Sequence, residues 1–154
     1  AGLGDSMTFT SVFTTDETTL PGQQDAAVGF LSAGAWAPNM DNEANQAFVA
    51  AFEEKYGYVP GSYAAQAFDT AHLIASALEK TGGNVDDKDA MREALEAADF
   101  TSVRGDFAFS NNHYPVQDFH LIEVAKREDG KFWTTAKRTI VEDYADSFHE
   151  ECKM

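Results

Sequence analysis

Two residues at the head of one helical stretch, Tyr63 and Gln66 in GSYAAQAFDTAHLIASALEKTGG, carry the most suggestive chemistry in the chain. The stretch predicts a long helix that starts at Ser62, whose hydroxyl can cap the first turn, and stops at Gly82 or Gly83. Free backbone N–H groups and the positive end of the helix dipole then stand beside a phenol and an amide, an arrangement suited to holding a carboxylate. The same residue types also occur at helix entrances that meet only water.

Other constellations give less. There is no serine elbow, no cysteine set beside a histidine near a helix start and no phosphate loop, so no enzyme and no cofactor are expected. His72, His113, His120 and His149 are scattered, and none forms the i, i+4 pair of a helical zinc site. His149 and Cys152 supply two ligands on a terminal tail, too few for a site, so no metal is expected. Asp86, Asp87 and Asp89 lack the turn glycine and distal glutamate of a calcium loop and read as helix-capping residues. Arg104-Gly105-Asp106 runs directly into alternating phenylalanines, which places it in a strand and not at an exposed adhesion tip. Asn111, Asn112 and Pro115 mark a turn whose polar side chains, with His113 and Asp118, form a corner able to satisfy itself.

Residues 7–13 (MTFTSVF) and 27–33 read as strands, separated by a polar loop with Pro21 and Gly22. Ala44, Ala47, Phe48, Ala51, Phe52 and Tyr56 recur at helical spacing, with Asp41 or Asn42 as cap and Gly57 as stop. In the central helix Asp69, His72, Ser76, Glu79 and Lys80 make one narrow polar stripe, and the remaining apolar circumference predicts a mostly buried helix against a sheet. A third helix follows NVDDKD, with Ala90, Met91, Ala94, Leu95 and Ala98 inward. Strands are expected at 103–109, 118–125 and 131–140, the last two joined by a hairpin at Asp129-Gly130. Tyr144 and Phe148 are expected to pack a short C-terminal helix or tail. The order β, β, α, α, α, β, β, β is that of a layered α/β or α+β fold.

Composition narrows the partners. With 26 acidic against 11 basic residues the formal net charge is −15, which disfavours nucleic acid and anionic membrane surfaces. The 12 phenylalanines and 44% hydrophobic content exclude a disordered chain. No apolar run is long enough to span a bilayer, and AGLGDSMTF lacks the basic start and apolar centre of a signal peptide, so in an exported protein that segment is expected to be gone. Cys152 is the single cysteine, read on its own as a free thiol.

The pieces in this order resemble the type I periplasmic solute-binding proteins that serve ABC importers. The motifs are AGL, the TTDE loop, QQDAAVG, APNMDNEANQAFVAAFEEKYG, SYAAQAFDTAHLIASALEKTGG, VRGDFAFSNNHYPVQDFHLIEV and ECKM. The likeness is greatest to the branch that binds branched-chain amino acids, aromatic carboxylic acids and related small carboxylates. Members are roughly twice as long, so the resemblance implies the C-terminal portion of such a protein: incomplete parts of two α/β lobes, with helices packed on mainly parallel sheets. It assigns residues 1–36 to the second lobe, 37–41 to a crossover, 42–109 to the first lobe, 110–117 to a second crossover, and 118–154 to the second lobe and tail. It also implies a missing N-terminal part of the same polypeptide, which would hold the disulfide partner of Cys152.

By position, the resemblance puts Thr10, Ser11, Val12 and Phe13 on one side of an interlobe cleft and Tyr63 and Gln66 on the other. Thr10 and Ser11 would accept a polar head group, while Phe13 and Tyr63 supply stacking area. Val12 stands where amino-acid binders carry an acid for the ammonium group, which tilts the expected ligand toward an aromatic or aliphatic carboxylate. The implied role is a periplasmic, flytrap-like component that closes on its ligand and docks on a membrane permease. The same fold also serves as a ligand-sensing regulator or receptor domain, and these residues do not separate delivery from sensing.

Overall fold

A computed structural model of the chain describes residue 3 and residues 6–153. Ala1 and Gly2 of the AGL motif, Gly4, Asp5 and the Met154 of ECKM lie outside the described residues. In chain order the elements are α1 (Leu20–Gln23), β1 (Leu31–Gly34), α2 (Glu43–Tyr56), α3 (Ser62–Lys80), α4 (Lys88–Glu96), β2 (Ala108–Phe109), β3 (Pro115–Lys126) and β4 (Phe132–Tyr144). Short 3₁₀ turns cover Gln24–Ala27 and His149–Glu151.

The helices begin and end on the residues chemistry favours. Asn42, in extended backbone, accepts from the N–H of Asn45 to start α2, and Gly57 in the left-handed region closes it. Asp87 caps α4 by accepting from the N–H of Ala90 at 3.0 Å. At the far end of α3 the N–H of Gly83 returns to the carbonyl of Leu78, and both Gly82 and Gly83 have positive φ. The α2 and α3 faces meet around Phe48, Val49 and Ala65, with Trp36 and Val103 completing the cluster. Asn45 is fully buried there. Its Oδ1 accepts from the Trp36 indole N–H at 2.7 Å, and its Nδ2 donates to the carbonyls of Pro38 and Met40, both at 3.1 Å.

β3 is the common partner of the other three strands, and every strand pairing is antiparallel. β1 runs against it from Leu31 opposite Glu123 to Gly34 opposite His120. β4 follows through a tight turn in which Gly130 takes φ +85, pairing from Lys126 opposite Phe132 to Gln117 opposite Tyr144. Beneath this sheet Leu20, Ala27 and Val124 form a second apolar cluster with Phe30 and Phe132. The two clusters are linked at the hairpin turn, where Arg127 and Lys131 donate to Glu53 of α2 at 2.9 and 2.8 Å. Partial burial pushes the Glu53 carboxyl up, but these two cations outweigh it and hold the carboxyl below its ordinary range.

Several expectations are corrected. The sheet among the described residues is antiparallel, not mainly parallel: its two long strands are joined by a tight turn, whereas parallel neighbours need a crossover of a dozen residues or more, and β1 and β2 also run against β3. The expected strand at 7–13 reduces to one parallel bridge, Thr10 to Leu31, and that at 27–33 to β1 alone. The strand expected at 103–109 shrinks to β2, since Asp69 captures the Ser102 hydroxyl, the Val103 N–H and Arg104 Nε, and Gly105 turns at φ +92. Arg104-Gly105-Asp106 therefore lies in a turn. Gly61, not Ser62, is the N-cap position of α3. That helix is not mostly buried: Tyr63 is 65% and Ile74 45% exposed, while Asp69 of the supposed wet stripe is 1% exposed. Phe148 does not pack the tail, which is held instead by Asn111 donating to the His149 carbonyl at 2.7 Å.

Candidate binding cleft

The loop that leaves the Thr10 bridge is set by backbone bonds. Leu31 N–H donates to the Phe9 carbonyl at 2.9 Å and Ser11 N–H to the Leu31 carbonyl at 2.8 Å. Beyond Ser11 the chain turns sharply, and Phe13 adopts φ +61, a left-handed backbone that costs a bulky residue about 1–3 kcal/mol. The turn projects the ring into the open, 65% exposed. There it stacks on Tyr63 from the first turn of α3, with ring centroids 6.2 Å apart and planes 22° from parallel.

Two neighbouring acids fix this loop to both sides. Oδ1 of Asp16 accepts from the N–H and hydroxyl of Thr18 at 2.9 and 2.7 Å. Its Oδ2 lies 3.3 Å from Ser62 N and 3.4 Å from Ser62 Oγ, at the positive end of α3. Glu17, 5% exposed, points the other way. Its Oε1 accepts from both the N–H and the hydroxyl of Thr134 on β4, at 2.7 and 2.6 Å. Burial is the main influence on Glu17 and raises its pKa to about 7, the bonds from Thr134 working against that rise.

Between these parts lies a cavity of about 270 Å³, lined among others by Val12, Phe13, Asp16, Gln66, Arg104 and Gln117. Arg104 is the cation among its lining residues. Its side chain is 12% exposed, with Nε bonded to Asp69 Oδ2 at 2.9 Å and Nη1 to Gln117 Oε1 at 2.9 Å. Two wider, more open grooves of about 560 and 590 Å³ also reach Arg104, so this guanidinium sits where three concavities meet. Polar side chains, the exposed Phe13 ring and one held cation line a concavity whose chemistry suits a small molecule with an apolar body and a polar head.

Of the residues singled out in the sequence, Val12, Phe13 and Gln66 line this cavity, and Tyr63 stands against it through Phe13. Thr10 and Ser11 lie beside it. Thr10 makes the bridge to Leu31, and the Ser11 hydroxyl is bonded to that of Thr14. Asp16, Glu17, Arg104 and Gln117 also line the cavity and are not site candidates on sequence alone. The adjacent acids directly after the Phe13 turn, and a glycine directly before Ser62, were the available signals.

Comparison with known proteins comes to the same architecture. Residues 1–131 match the profile of a family described as periplasmic binding proteins. The Leu/Ile/Val-binding protein homolog 6 of Brucella abortus (strain 2308) is 30% identical over 130 residues, which is 82% of this chain and 33% of that protein. Among solved structures, a solute-binding protein of an ABC transporter from R. palustris, in complex with benzoate, superposes with a TM-score of 0.78 at 32% identity, covering 88% of this chain and 36% of that one. An ABC transporter substrate-binding protein from Sphaerobacter thermophilus gives a TM-score of 0.81 at 31% identity, covering 92% and 39%. The chain thus spans about a third of the length of the relatives it matches.

Proposed function

The chain belongs to the periplasmic binding protein family, and from that premise we propose that it forms part of the extracytoplasmic solute-binding component of an ABC importer. Its ligand is a small carboxylate of the aromatic-acid or branched-chain amino-acid type. Residues 1–36 and 118–154 belong to one lobe and 42–109 to the other, with 37–41 and 110–117 crossing between them. The rest of both lobes comes from polypeptide outside this chain, and the closed form docks on a membrane permease in the periplasm.

The observation that carries this reading is the pairing of Phe13 with Tyr63. Two exposed aromatic rings, from segments about fifty residues apart, stack on each other, and Phe13, the one that lines the cavity, is held there by a strained backbone. Exposed aromatics kept at such a cost are characteristic of ligand clamps. The solved relative in complex with benzoate supports the aromatic-acid side of the proposal.

The test is a thermal-shift panel on the complete polypeptide with benzoate, hydroxybenzoates, leucine, isoleucine and valine. Aromatic acids are expected to raise the transition, with Phe13→Ala and Tyr63→Ala each weakening binding roughly tenfold through lost stacking and burial. Shifts confined to zwitterionic amino acids would refute the tilt to aromatic acids, and no shift at all would refute solute capture. Intact-mass spectrometry checks the longer polypeptide, a homogeneous, cooperatively folding species of 16.8 kDa being the contrary result.

A further inference from the structure

A helix N-terminus facing a cleft is the natural seat for the carboxylate of a ligand, yet here the seat is taken. Oδ2 of Asp16 stands within 3.3 Å of the Ser62 amide nitrogen and 3.4 Å of its hydroxyl. The fit is enforced by the neighbour: a Cβ on Gly61 would lie 2.7 and 2.9 Å from the two Asp16 carboxylate oxygens, so the residue before the helix has to be glycine for the acid to reach it. Nor is the side chain there by chance of rotation, because the other oxygen is anchored by the Thr18 N–H and hydroxyl. Asp16 is buried, and it lines the same cavity as Phe13 and Gln66.

We propose that Asp16 is a specificity-determining residue of the cleft. By placing its own carboxylate on the N-terminus of α3 it denies that end to the carboxylate of a ligand, so an aromatic acid enters with its uncharged ring toward Tyr63 and its charge directed away from α3. The inference rests on the cleft reading above and refines it: it gives the ligand an orientation. It also reverses the expectation that the first turn of α3 receives an anion. Two like charges cannot share one helix terminus without strong mutual repulsion in a partly desolvated site, and a repulsive group of this kind discriminates as effectively as an attractive one. A neutral analogue of the same shape pays no such penalty.

The experiment compares wild type with Asp16→Asn in the complete polypeptide, by calorimetric titration with benzoate and with benzamide. Asparagine keeps the acceptor for Thr18 while removing the charge, and Asp16→Ser makes the same comparison should the amide variant fold poorly. Benzoate binding is expected to tighten about fivefold to tenfold in the variant, the size of a single charge at a partly buried helix end, while benzamide changes less than twofold. Equal shifts for both ligands, or weaker benzoate binding, would overturn the proposal. A second readout does not need the cleft to bind aromatic acids: formate titrated against the Ser62 amide resonance should move it saturably in Asp16→Asn and not in wild type. If neither benzoate nor benzamide binds but formate still discriminates, the solute-capture reading falls, and with it the ligand orientation, while the exclusion of anions from the N-terminus of α3 by Asp16 stands. Equal formate response in both proteins sinks the role of Asp16 alone.

Discussion

Replacing Glu17 by glutamine should make the protein more stable at alkaline pH and flatten its response to pH. The carboxyl is buried, and the Thr134 N–H and hydroxyl both donate to a single oxygen, Oε1, so the ionised form is left with little compensation for its lost water. Burial raises its pKa from 4.5 to about 7, with the adjacent Asp16 adding to the rise. Because the native state holds the proton more tightly than the unfolded chain, the favourable contribution of Glu17 is complete below pH 4.5 and declines as pH rises toward 7. Above that it is gone. A rise of this size corresponds to about 3 kcal/mol. Glutamine keeps the acceptor for Thr134 and does not titrate. The difference between wild type and Glu17→Gln in urea unfolding, measured at pH 4.5, 5.5, 6.5 and 7.5 on the complete polypeptide, should therefore open by about 1.4 kcal/mol per unit over that interval, in favour of the variant. Parallel stability profiles, or a difference that opens in favour of wild type, would refute the reasoning.

Two further outcomes follow from buried polar groups. Asn45→Ala leaves the Trp36 indole N–H and the Pro38 carbonyl without their side-chain partner, while the Met40 carbonyl keeps the Asn42 N–H, and should cost about 2–3 kcal/mol in chemical denaturation with a shift in tryptophan emission; a loss under 1 kcal/mol would contradict the bonding described. Asp69→Ala strips the counter-charge from Arg104 and leaves three donors without the carboxylate that accepts from them, for an expected loss of about 3–5 kcal/mol by the same measurement. Stability unchanged in that variant would mean the network is not coupled to the fold.

Local signals were legible wherever the determining residues lie within a few positions of one another. Asn42, Gly57, Asp87 and the Asp129-Gly130 turn announce their elements because caps and tight turns are made by neighbours in sequence. The candidate cleft was half legible: Tyr63 stands out by its place at the head of a helix and Phe13 by resemblance, and their rings stack. Asp16 and Glu17 were not, since their meaning depends on Ser62 and Thr134, separated from them by 46 and 117 positions. The strand expected at 103–109 failed for a related reason. Alternating phenylalanines suggest a ladder, but a buried aspartate on α3, 33 to 35 positions earlier, takes the donors of that segment first. The parallel sheet is what the whole family implies, whereas the longest pairing in this chain, β3 with β4, is dictated by one short turn between them.

The contact between Gly61 and Asp16 also sets an order on how this site can change over generations. Any side chain acquired at position 61 collides with a carboxylate that Thr18 keeps in place, so while Asp16 persists the glycine is frozen. Once Asp16 has been exchanged for a shorter residue, position 61 becomes free to vary. A lineage drifting toward ligands of different polarity must pass through the acid first, and the two positions should be inherited as a linked pair.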